Sequence, residues 1–591
     1  MSPTGFSIQI SHDGHSVYSK SGLTSALTDV RLPAAGTYDV VVIDGVSRWE
    51  FTIRAIPGWF TVLPPIIAIV MALIFRQVIL ALFAGVWLGA FIVNDYNPVR
   101  GFFYVIDYYA VDSLAGDSGA DHVAISIFTL MLGGMVGVFS RIGGTGGIVD
   151  QISRIATTAR RGQLATWLMG VCIFFDDYTN TLIVGNTMRP ITDRLKISRE
   201  KLAYIVDSTA APVAVIAIIT SWVGFEISLI KDAFDAAGID RNPFTTFVAS
   251  IQYSFYPILT LVFGLLIASS TRDFGPMLRA EKRARTKRQV LSEKAMPLSS
   301  LDADVLLTSD APRRWYNAVI PIAVVVLGAF IGLVVTGRNS LVESGVETFS
   351  LMDTIRESNS FDALLWSSLV GCVVAIGLGL VQRLASLADI MTAWGAGVKS
   401  MVPAFVILIL AWSIGTVCTD LHTADYLVTQ VSGLLNPRLL PMIIFLIAAA
   451  VSFSTGTSWG TMTILTPIAI PLVVKVSALH GLADGSAEAV LLSGIAAIMA
   501  GSVFGDHCSP ISDTTIMSSM ASGSDHIDHV RTQLPYALVV AAVAIVLGYL
   551  PVGFNVPSIV ALIASGGALF AIVRFLGKTE SSYTENGAPS D

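Results

Sequence analysis

The chain has 591 residues, 53% of them apolar and 13% charged, with 50 glycines and a formal charge of −7 at pH 7. Apolar runs of membrane length recur along it, which reads as a polytopic α-helical membrane protein and excludes a soluble enzyme, while the modest negative charge gives a nucleic-acid partner no footing. Cys172, Cys372, Cys418 and Cys508 fall in or beside apolar segments without paired spacing, so they read as core thiols rather than a disulfide framework or zinc site.

Residues 1–56 stand apart. FSIQISHDG, SVYSKSG, TYDVVVIDG and RWEFTIRA alternate along their length between turn residues, the pattern of a small antiparallel sheet. Such a sheet is marginal alone and needs the membrane part or a partner to pack on. No signal peptide precedes it, so the expectation is an extracytoplasmic segment exported by the first span, or one from which an upstream segment has been removed. Two apolar runs follow, 59–75 and 78–93, parted by Arg76 and Gln77. As one helix, some 35 residues would measure about 52 Å against a bilayer core of about 30 Å, which favours a tight hairpin of two spans over one tilted helix and puts Arg76 at a cytoplasmic turn. Asp95, Asp107, Asp112, Asp117 and Asp121 mark an outer loop, and a span at 122–140 ends in a glycine-rich stretch, 141–147. A phosphate loop there would need a strand before it and a Lys, so helix packing or a flexible turn is the reading.

The stretch 163–193, QLATWLMGVCIFFDDYTNTLIVGNTMRPITD, is apolar enough for a bilayer yet carries Asp176 and Asp177 at its centre. An ionisable side chain at mid-membrane costs roughly 2.5–3.5 kcal/mol even on lenient insertion scales, so the pair is a site by default. Arg141, Arg154, Arg160 and Arg161 precede it and Arg189, Arg194, Lys196, Arg199 and Lys201 follow, which places both ends on the cytoplasmic side. A segment with both ends on one side predicts a re-entrant hairpin near 163–190, its DDYTNT tip deep in the membrane. Adjacent carboxylates point to different helix faces, so one of the two is expected to line the site, and Asp177 is nearer the break.

A span at 201–224 carries Asp207, Ser208, Thr209 and Pro212 one to two turns inside. Carbonyls freed by the proline and the nearby hydroxyls suit a cation; a simple kink with Asp207 capping it is the alternative. Glu226 and Asp362 sit at span ends and read as interfacial. After a span at 250–270, the basic run from Arg272 to Arg314 is expected to be a cytoplasmic linker between two halves. Spans at 315–336, 361–382 and 397–418 follow, with 337–360 outside. A region at 439–476 is interrupted by SFSTGTSWGT, a segment at 486–521 breaks at GDHCSPISDTT, and spans at 534–551 and 556–575 precede a polar tail. Each half thus reads as three spans, a hairpin and two spans. Five crossings is odd, so the halves are expected to lie inverted, the first hairpin dipping from the cytoplasm and the second, near 439–476, from outside. The expected organisation is an all-α polytopic membrane protein with the β-rich segment 1–56, membrane repeat 1 over 57–271, the linker 272–314, repeat 2 over 315–551, and one extra span with its tail over 552–591. The N-terminus lies outside and the C-terminus in the cytoplasm.

Oxygen donors gather at the breaks: Asp176, Asp177, Asp207, Asp506 and Asp513, with Thr179, Asn180, Thr181, Thr209, Thr457, Ser458 and Thr514. Hard donors of this kind suit sodium or lithium. The same carboxylates can hold protons, so one site can exchange Na⁺ for H⁺ by competition, with no resident cofactor. Asp506, His507 and Cys508 are consecutive and so poorly placed to converge on one metal. His526 and His529, with Asp525, Asp528 and Arg531, read as a solvated helix face at the cytoplasmic surface, a pH-sensing pair being the alternative. A carrier of a small carboxylate or amino acid coupled to Na⁺ or H⁺ competes with the exchanger, but it wants a basic or amide-rich pocket, and no buried Arg or Lys is evident near the breaks. An intramembrane aspartyl protease would need Tyr-Asp and Gly-x-Gly-Asp, where this chain has Asp177–Tyr178 and Val503–Phe504–Gly505 before Asp506. A channel would not call for inverted broken elements.

FFDDYTNTLIVGNTMRPITD, SREKLAYIVDSTAAPVA, FSTGTSWGTMTILTPIAIPL and GSVFGDHCSPISDTTIMSS, in that order, resemble the NhaC-type sodium/proton antiporters of the ion transporter superfamily over residues 59–575. The resemblance implies an inner-membrane antiporter with two re-entrant hairpins, a transport domain moving elevator-like against a scaffold, and a homodimer. On matching positions it implies that Asp177, Asp207, Asp506 and Asp513 bind or relay the ions, with Na⁺ expected at these four and Asn180. Relatives exchange malate and protons for lactate and sodium, or carry amino acids. The expected partners are therefore membrane lipid, a small cation or organic substrate, and a second copy. The β-rich segment and the long basic loop depart from the family pattern.

Overall fold

The structure, a computed structural model, describes residues 6–12, 15–23, 35–44, 47–75, 77–116, 119–297, 312–346, 348–431 and 436–578. Arg76, Asp117, the middle of the basic linker and the polar tail lie outside these residues. Alternation near the N-terminus yields four antiparallel strands, β1 (Phe6–His12), β2 (His15–Leu23), β3 (Gly36–Asp44) and β4 (Ser47–Ala55), in the order β2-β1-β3-β4. One face buries Ile10, Tyr38 and Val40. This core is small, and the sheet also ties to the membrane part: Arg54 donates to Asp95 at 2.7 Å and its guanidinium sits 4.0 Å from the Tyr96 ring centre. Removing residues 1–56 is expected to leave a folded protein with unchanged turnover, measured as transport by the truncated chain in proteoliposomes; loss of transport in a well-folded truncation would show that the sheet takes part.

Helices α1 (Leu63–Phe75) and α2 (Val78–Val93) pack on each other and have 13 and 16 residues, about 20 and 24 Å long, each short of a bilayer core of about 30 Å. The plain outer loop expected after Asp95 is instead helical over Pro98–Tyr104 and Val111–Ala115, joined by a π-helical turn. The reason is aromatic burial: Tyr109 is enclosed and its hydroxyl donates to Asp420 at 2.9 Å. Next comes α3 (Gly119–Arg141). Among the described residues nine helices are long and apolar enough to cross a bilayer, or ten if the bent pair Pro243–Tyr253 and Phe255–Ser270, angled by 49°, counts as one span.

The Asp176/Asp177 stretch is a helical hairpin, α4 (Ala159–Cys172) and α5 (Asp177–Arg194). Its arms are antiparallel, since a Cβ built on Gly162 near the start of α4 would lie 2.6 Å from Leu195 Cδ1, just past the end of α5. The first arm, 14 residues, is about 21 Å long, too short to cross the core. Helix α6 (Arg199–Ser208) runs alongside α4 in the same direction: Ile197 lies against Gly162 at one end and Thr209 against Gly170 at the other. The continuous span expected over 201–224 is not seen. The helix stops at Ser208, a single turn covers Ala211–Ala214, and regular helix resumes only at α7 (Val223–Ala237). Pro212 has no N–H to give, and the Ser208 and Thr209 hydroxyls each donate back to Ile205 O, at 3.2 and 2.9 Å. Glu226, expected at an interface, is wholly buried in α7, because that helix packs inside the protein against α3 instead of ending at the membrane surface.

Beyond α8 (Phe255–Ser270) and the basic α9 (Gly275–Thr286), α10 (Tyr316–Glu343), α11 (Ser360–Val381) and α12 (Leu387–Ser400) pack with α3, and α13 (Val402–Asp420) packs on α2. A second hairpin follows, α14 (Leu440–Thr455) and α15 (Ser458–Leu479), and then α16 (Asp484–Cys508). The arrangement of the first trio recurs. Ser452 donates to Ser502 O at 2.5 Å, and a Cβ on Gly494 would meet both Ile444 and Val473 at 3.9 and 3.3 Å, so α16 lies along both arms, parallel to α14 and antiparallel to α15. At the tip Gly456 takes φ 71°, and a Cβ there would lie 2.6 Å from Ile511 O. Helices α17 (Asp513–Ser522), α18 (His526–Val543) and α19 (Ser558–Leu576) complete the fold, α17 wedged against α5 and α6. All four cysteines are free, and only Cys172 is not fully buried.

Candidate functional site

The two hairpin tips and the break between α16 and α17 border one cavity of about 1020 Å³. Three helix N-termini open onto it. Asp176 caps α5: its Oδ2 accepts the Thr179 N–H at 2.8 Å and the Thr179 hydroxyl at 2.6 Å, while Oδ1 accepts from Ser221 at 3.0 Å. Thr457 caps α15 by accepting the Gly460 N–H at 3.3 Å. Ser512 caps α17 and donates to Asp506 Oδ1 at 2.5 Å, and Ser458 donates to Asp506 Oδ2 at 3.2 Å. Asp177 is the first residue of α5 and accepts the Trp222 indole N–H at 3.2 Å. Asp513 is the first residue of α17, and Tyr178 donates to its Oδ2 at 2.5 Å, joining the first hairpin to a residue 335 positions away.

The wall therefore carries Asp176, Asp177, Thr179, Thr457, Ser458, Asp506, Asp513 and Thr514 from the expected set. The expectation that only one of the adjacent pair would face the site is corrected: Asp176, as the cap, and Asp177, as the first helical residue, are both on the wall, because the chain is not helical on both sides of them. Four expected residues are off the wall. Asn180 Nδ2 lies 2.7, 3.1 and 2.8 Å from the carbonyl oxygens of Gly170, Ile173 and Thr209, so it ties the hairpin turn to the α6 break. Thr209 spends its hydroxyl on its own helix, and Thr181 is buried against the protein. Asp207 is enclosed behind the wall by three donors, Gln533 Nε2 at 2.6 Å, Thr515 Oγ1 at 3.1 Å and Ser518 Oγ at 3.2 Å. That arrangement meets its oxygens with N–H and O–H donors and keeps it off the cavity wall.

Sequence reasoning missed Trp222, Ser221, Ser512, Tyr178 and Gln533, and it missed Arg141, which lies on the cavity wall. Only Ser512 carried a local signal, a Ser at the start of a helix after a proline turn. Asp506, His507 and Cys508 diverge, as expected of consecutive residues: Asp506 faces the cavity, His507 Nδ1 lies 2.7 Å from the Tyr256 hydroxyl, and Cys508 donates to Phe504 O at 2.9 Å. Among the described residues there is no cluster of three or more His, Cys, Asp or Glu able to hold a metal. The surface placement expected for His529 is corrected too. It is fully buried, because the first turn of α18 is tucked against α17; His526 remains partly exposed.

A family model described as the Na⁺/H⁺ antiporter family matches residues 213–554, more than half of the chain. The chain belongs to the Na⁺/H⁺ antiporter family. The chain is 34% identical over 517 residues to an uncharacterized protein of Haemophilus influenzae, covering 87% of this chain and 94% of that one. It is 33% identical over 165 residues to an uncharacterized Na⁺/H⁺ antiporter of the same organism, covering 27% of this chain and 33% of the relative. It is also 31% identical over 127 residues to the malate-2H⁺/Na⁺-lactate antiporter of Bacillus subtilis, covering 21% and 25%. Among solved structures, the YdaH transporter of Alcanivorax borkumensis aligns over 81% of this chain and 90% of its own at 14% identity, with a TM-score of 0.43. Family membership makes the chain a multi-pass secondary transporter.

Proposed function

We propose that the protein exchanges Na⁺ or Li⁺ for H⁺ across the cytoplasmic membrane by alternating access. The observation that carries this reading is the set of four carboxylates, Asp176, Asp177, Asp506 and Asp513, on one wall of a cavity bordered by both hairpins. Like charges so placed in a medium of low dielectric repel strongly, and they are relieved either by a cation or by protons, which is competition at one site. Asp177, Asp506 and Asp513 line the wall without converging as a three-carboxylate cluster in this conformation, and with the Thr457 and Ser458 oxygens they are the groups that take the cation as the site closes. Asp176 shapes the site as the cap of α5, Asn180 holds the turn that presents Asp177, and Asp207 carries a proton behind the wall. The matching packing of α4–α5–α6 and α14–α15–α16 supports two repeats with a hairpin each; the same proposal takes them as inverted, with five spans each, the sheet outside, the C-terminus in the cytoplasm and the protein a homodimer. Broken elements of this kind meeting around a midplane site are the mark of alternating access.

A second reading is favoured by particular features. A cavity of about 1020 Å³ far exceeds the needs of a bare cation, Arg141 is on its wall, and three helix N-termini face it, each a favourable end for an anion. A small carboxylate carried with Na⁺ or H⁺ would suit these, and one relative is named for malate and lactate. Proteoliposomes loaded and challenged with Na⁺, Li⁺, K⁺, malate, lactate and amino acids in turn separate the two. Proton movement driven by Na⁺ or Li⁺ alone is the expected result. A strict requirement for malate, lactate or an amino acid would replace exchange with the second reading, and no cation-linked movement under any condition would overturn both.

A further inference from the structure

The cavity is not the only polar path to the site. Asp207, closed off from the cavity, is joined to the surface of the protein by a chain of hydrogen-bonding side chains on α17 and α18. His529 Nε2 lies 2.8 Å from Gln533 Oε1, Gln533 Nε2 donates to Asp207 Oδ2 at 2.6 Å, and His529 Nε2 itself is 3.8 Å from that oxygen, near it but not hydrogen-bonded. His529 Nδ1 lies 2.8 Å from Ser519 Oγ, and Ser519 Oγ lies 3.0 Å from Nδ1 of His526. His526 is partly exposed, while Ser519, His529 and Asp207 are buried. We propose that His526, Ser519 and His529 form a proton relay that delivers protons to Asp207, and removes them, by a route separate from the cation cavity. The proposal rests on the exchange reading above.

The donors and acceptors fix which way the chain points. Gln533 Nε2 donates to Asp207 and to the His507 carbonyl, so its Oε1 can only accept, and neutral His529 must therefore carry its hydrogen on Nε2. The bare Nδ1 of His529 can then accept from the Ser519 hydroxyl, which at rest donates to Thr515 O at 2.9 Å and must turn to reach it. His526 Nε2 sits 2.7 Å from Pro510 O, an acceptor only, so neutral His526 also presents a bare Nδ1 to Ser519, whose single hydrogen cannot serve both rings. A proton taken from water resolves the conflict. Cationic His526 donates through Nε2 to Pro510 O and through Nδ1 to Ser519 Oγ, which turns the Ser519 hydrogen toward His529. The Ser519 hydrogen passes to His529 Nδ1 as the His526 Nδ1 hydrogen passes to Ser519; His526 is neutral again and His529 is the cation. With a side-chain shift that closes the 3.8 Å gap, His529 gives its Nε2 hydrogen to Asp207 Oδ2, leaving a neutral carboxyl and a neutral ring in the Nδ1–H form, whose bare Nε2 has no hydrogen for Gln533 Oε1 until the ring is reset. One proton has moved inward with no other reactant, and the reverse sequence carries it out.

The surroundings leave this chain as the titratable connection. On α18 itself, Asp528 turns to Ser292 and Asp525 caps the helix. From α6, Asp207 is the group that meets His529, while Glu200 is engaged by Arg283 and Lys201 by Asp273. From α16, His507 is a neighbour of His529, with its Nδ1 at 2.7 Å from the Tyr256 hydroxyl of α8. The cations nearest the outer end are Arg199, which donates to Gly523 O at 3.0 Å, and Arg189, also packed on Gly523.

The test uses the full-length chain in proteoliposomes, following release of radiolabelled sodium down its own gradient against proton uptake, in either a bulky sulfonate buffer or imidazole at one pH, alongside equilibrium Na⁺ binding. His526→Ala is expected to slow release about tenfold or more in the bulky buffer, to keep wild-type Na⁺ binding, and to regain most of its rate in imidazole, which can occupy the vacated, partly exposed position. Ser519→Ala, which cuts the chain inside the protein, is expected to be slow in both buffers with Na⁺ binding intact. Wild-type rates in either variant would overturn the relay, as would a slow His526→Ala that binds Na⁺ but gains nothing from imidazole. A wild-type protein that binds Na⁺ but releases none against protons would overturn the exchange reading itself, and the relay with it.

Discussion

Asp177→Asn is expected to reduce Na⁺-dependent proton movement by about 100-fold or more while leaving expression and fold intact. The substitution keeps the shape, and the amide oxygen still accepts from Trp222, so packing does not change. What disappears is a negative ligand, and an interaction with a charged group worth about 3 kcal/mol corresponds to about 100-fold. The matched comparison is Asp176→Asn, since Asn caps a helix as well as Asp does, so this neighbour should keep stability and lose less of the rate. Both are read as acidification or alkalinisation inside proteoliposomes on addition of Na⁺. Full activity of Asp177→Asn would remove that residue from the site.

Lys201→Met is expected to destabilise the protein by about 3–5 kcal/mol, the cost of stranding one member of a buried ion pair. Lys201 and Asp273 form a salt bridge in which both side chains are wholly buried, Tyr536 donates to Asp273 Oδ1 at 2.6 Å, and the Lys201 ammonium sits 5.6 Å from the centre of the Tyr536 ring. The cluster ties α6, which carries Asp207, to α18, which carries His529. Asp273→Leu alone should be equally damaging. The double variant should be far milder than the sum, because an apolar pair leaves no unpaired charge. Thermal denaturation of the detergent-purified variants measures this, and additive losses would show that the two groups do not act as a pair.

How much of this could be read from the chain depends on the range of the contacts. Asp176, Asp177, Asp506 and Asp513 announced themselves because a carboxylate in an apolar run is costly, and the breaks around them because Gly, Pro, Ser and Thr punctuate a helix locally. The sheet was legible in its alternation. The sorting of the site was not. Whether Asp207 faces the cavity depends on Thr515 and Gln533, 308 and 326 positions away, and nothing within its own helix reports on them. His529 looked solvated because Asp525, Asp528 and Arg531 surround it in sequence, yet its ring is turned to Ser519 and Gln533 on the inner face. Glu226 looked interfacial because apolar sequence ended near it, although α7 continues inside the protein. Arg141 was noted for the sidedness of its charge and not as part of the wall, since the cavity exists only once α3, α5 and α12 come together.

The central claim is that a cation and protons take turns on Asp177, Asp506 and Asp513. Calorimetric titration of the purified protein with Na⁺ at one pH, in two buffers of different ionisation enthalpy, tests it most directly. The account predicts heats that differ between the buffers, with protons released as Na⁺ binds, and a smaller release from Asp177→Asn. Saturable Na⁺ binding with the same heat in both buffers would mean that no proton leaves when the cation arrives, and would contradict it.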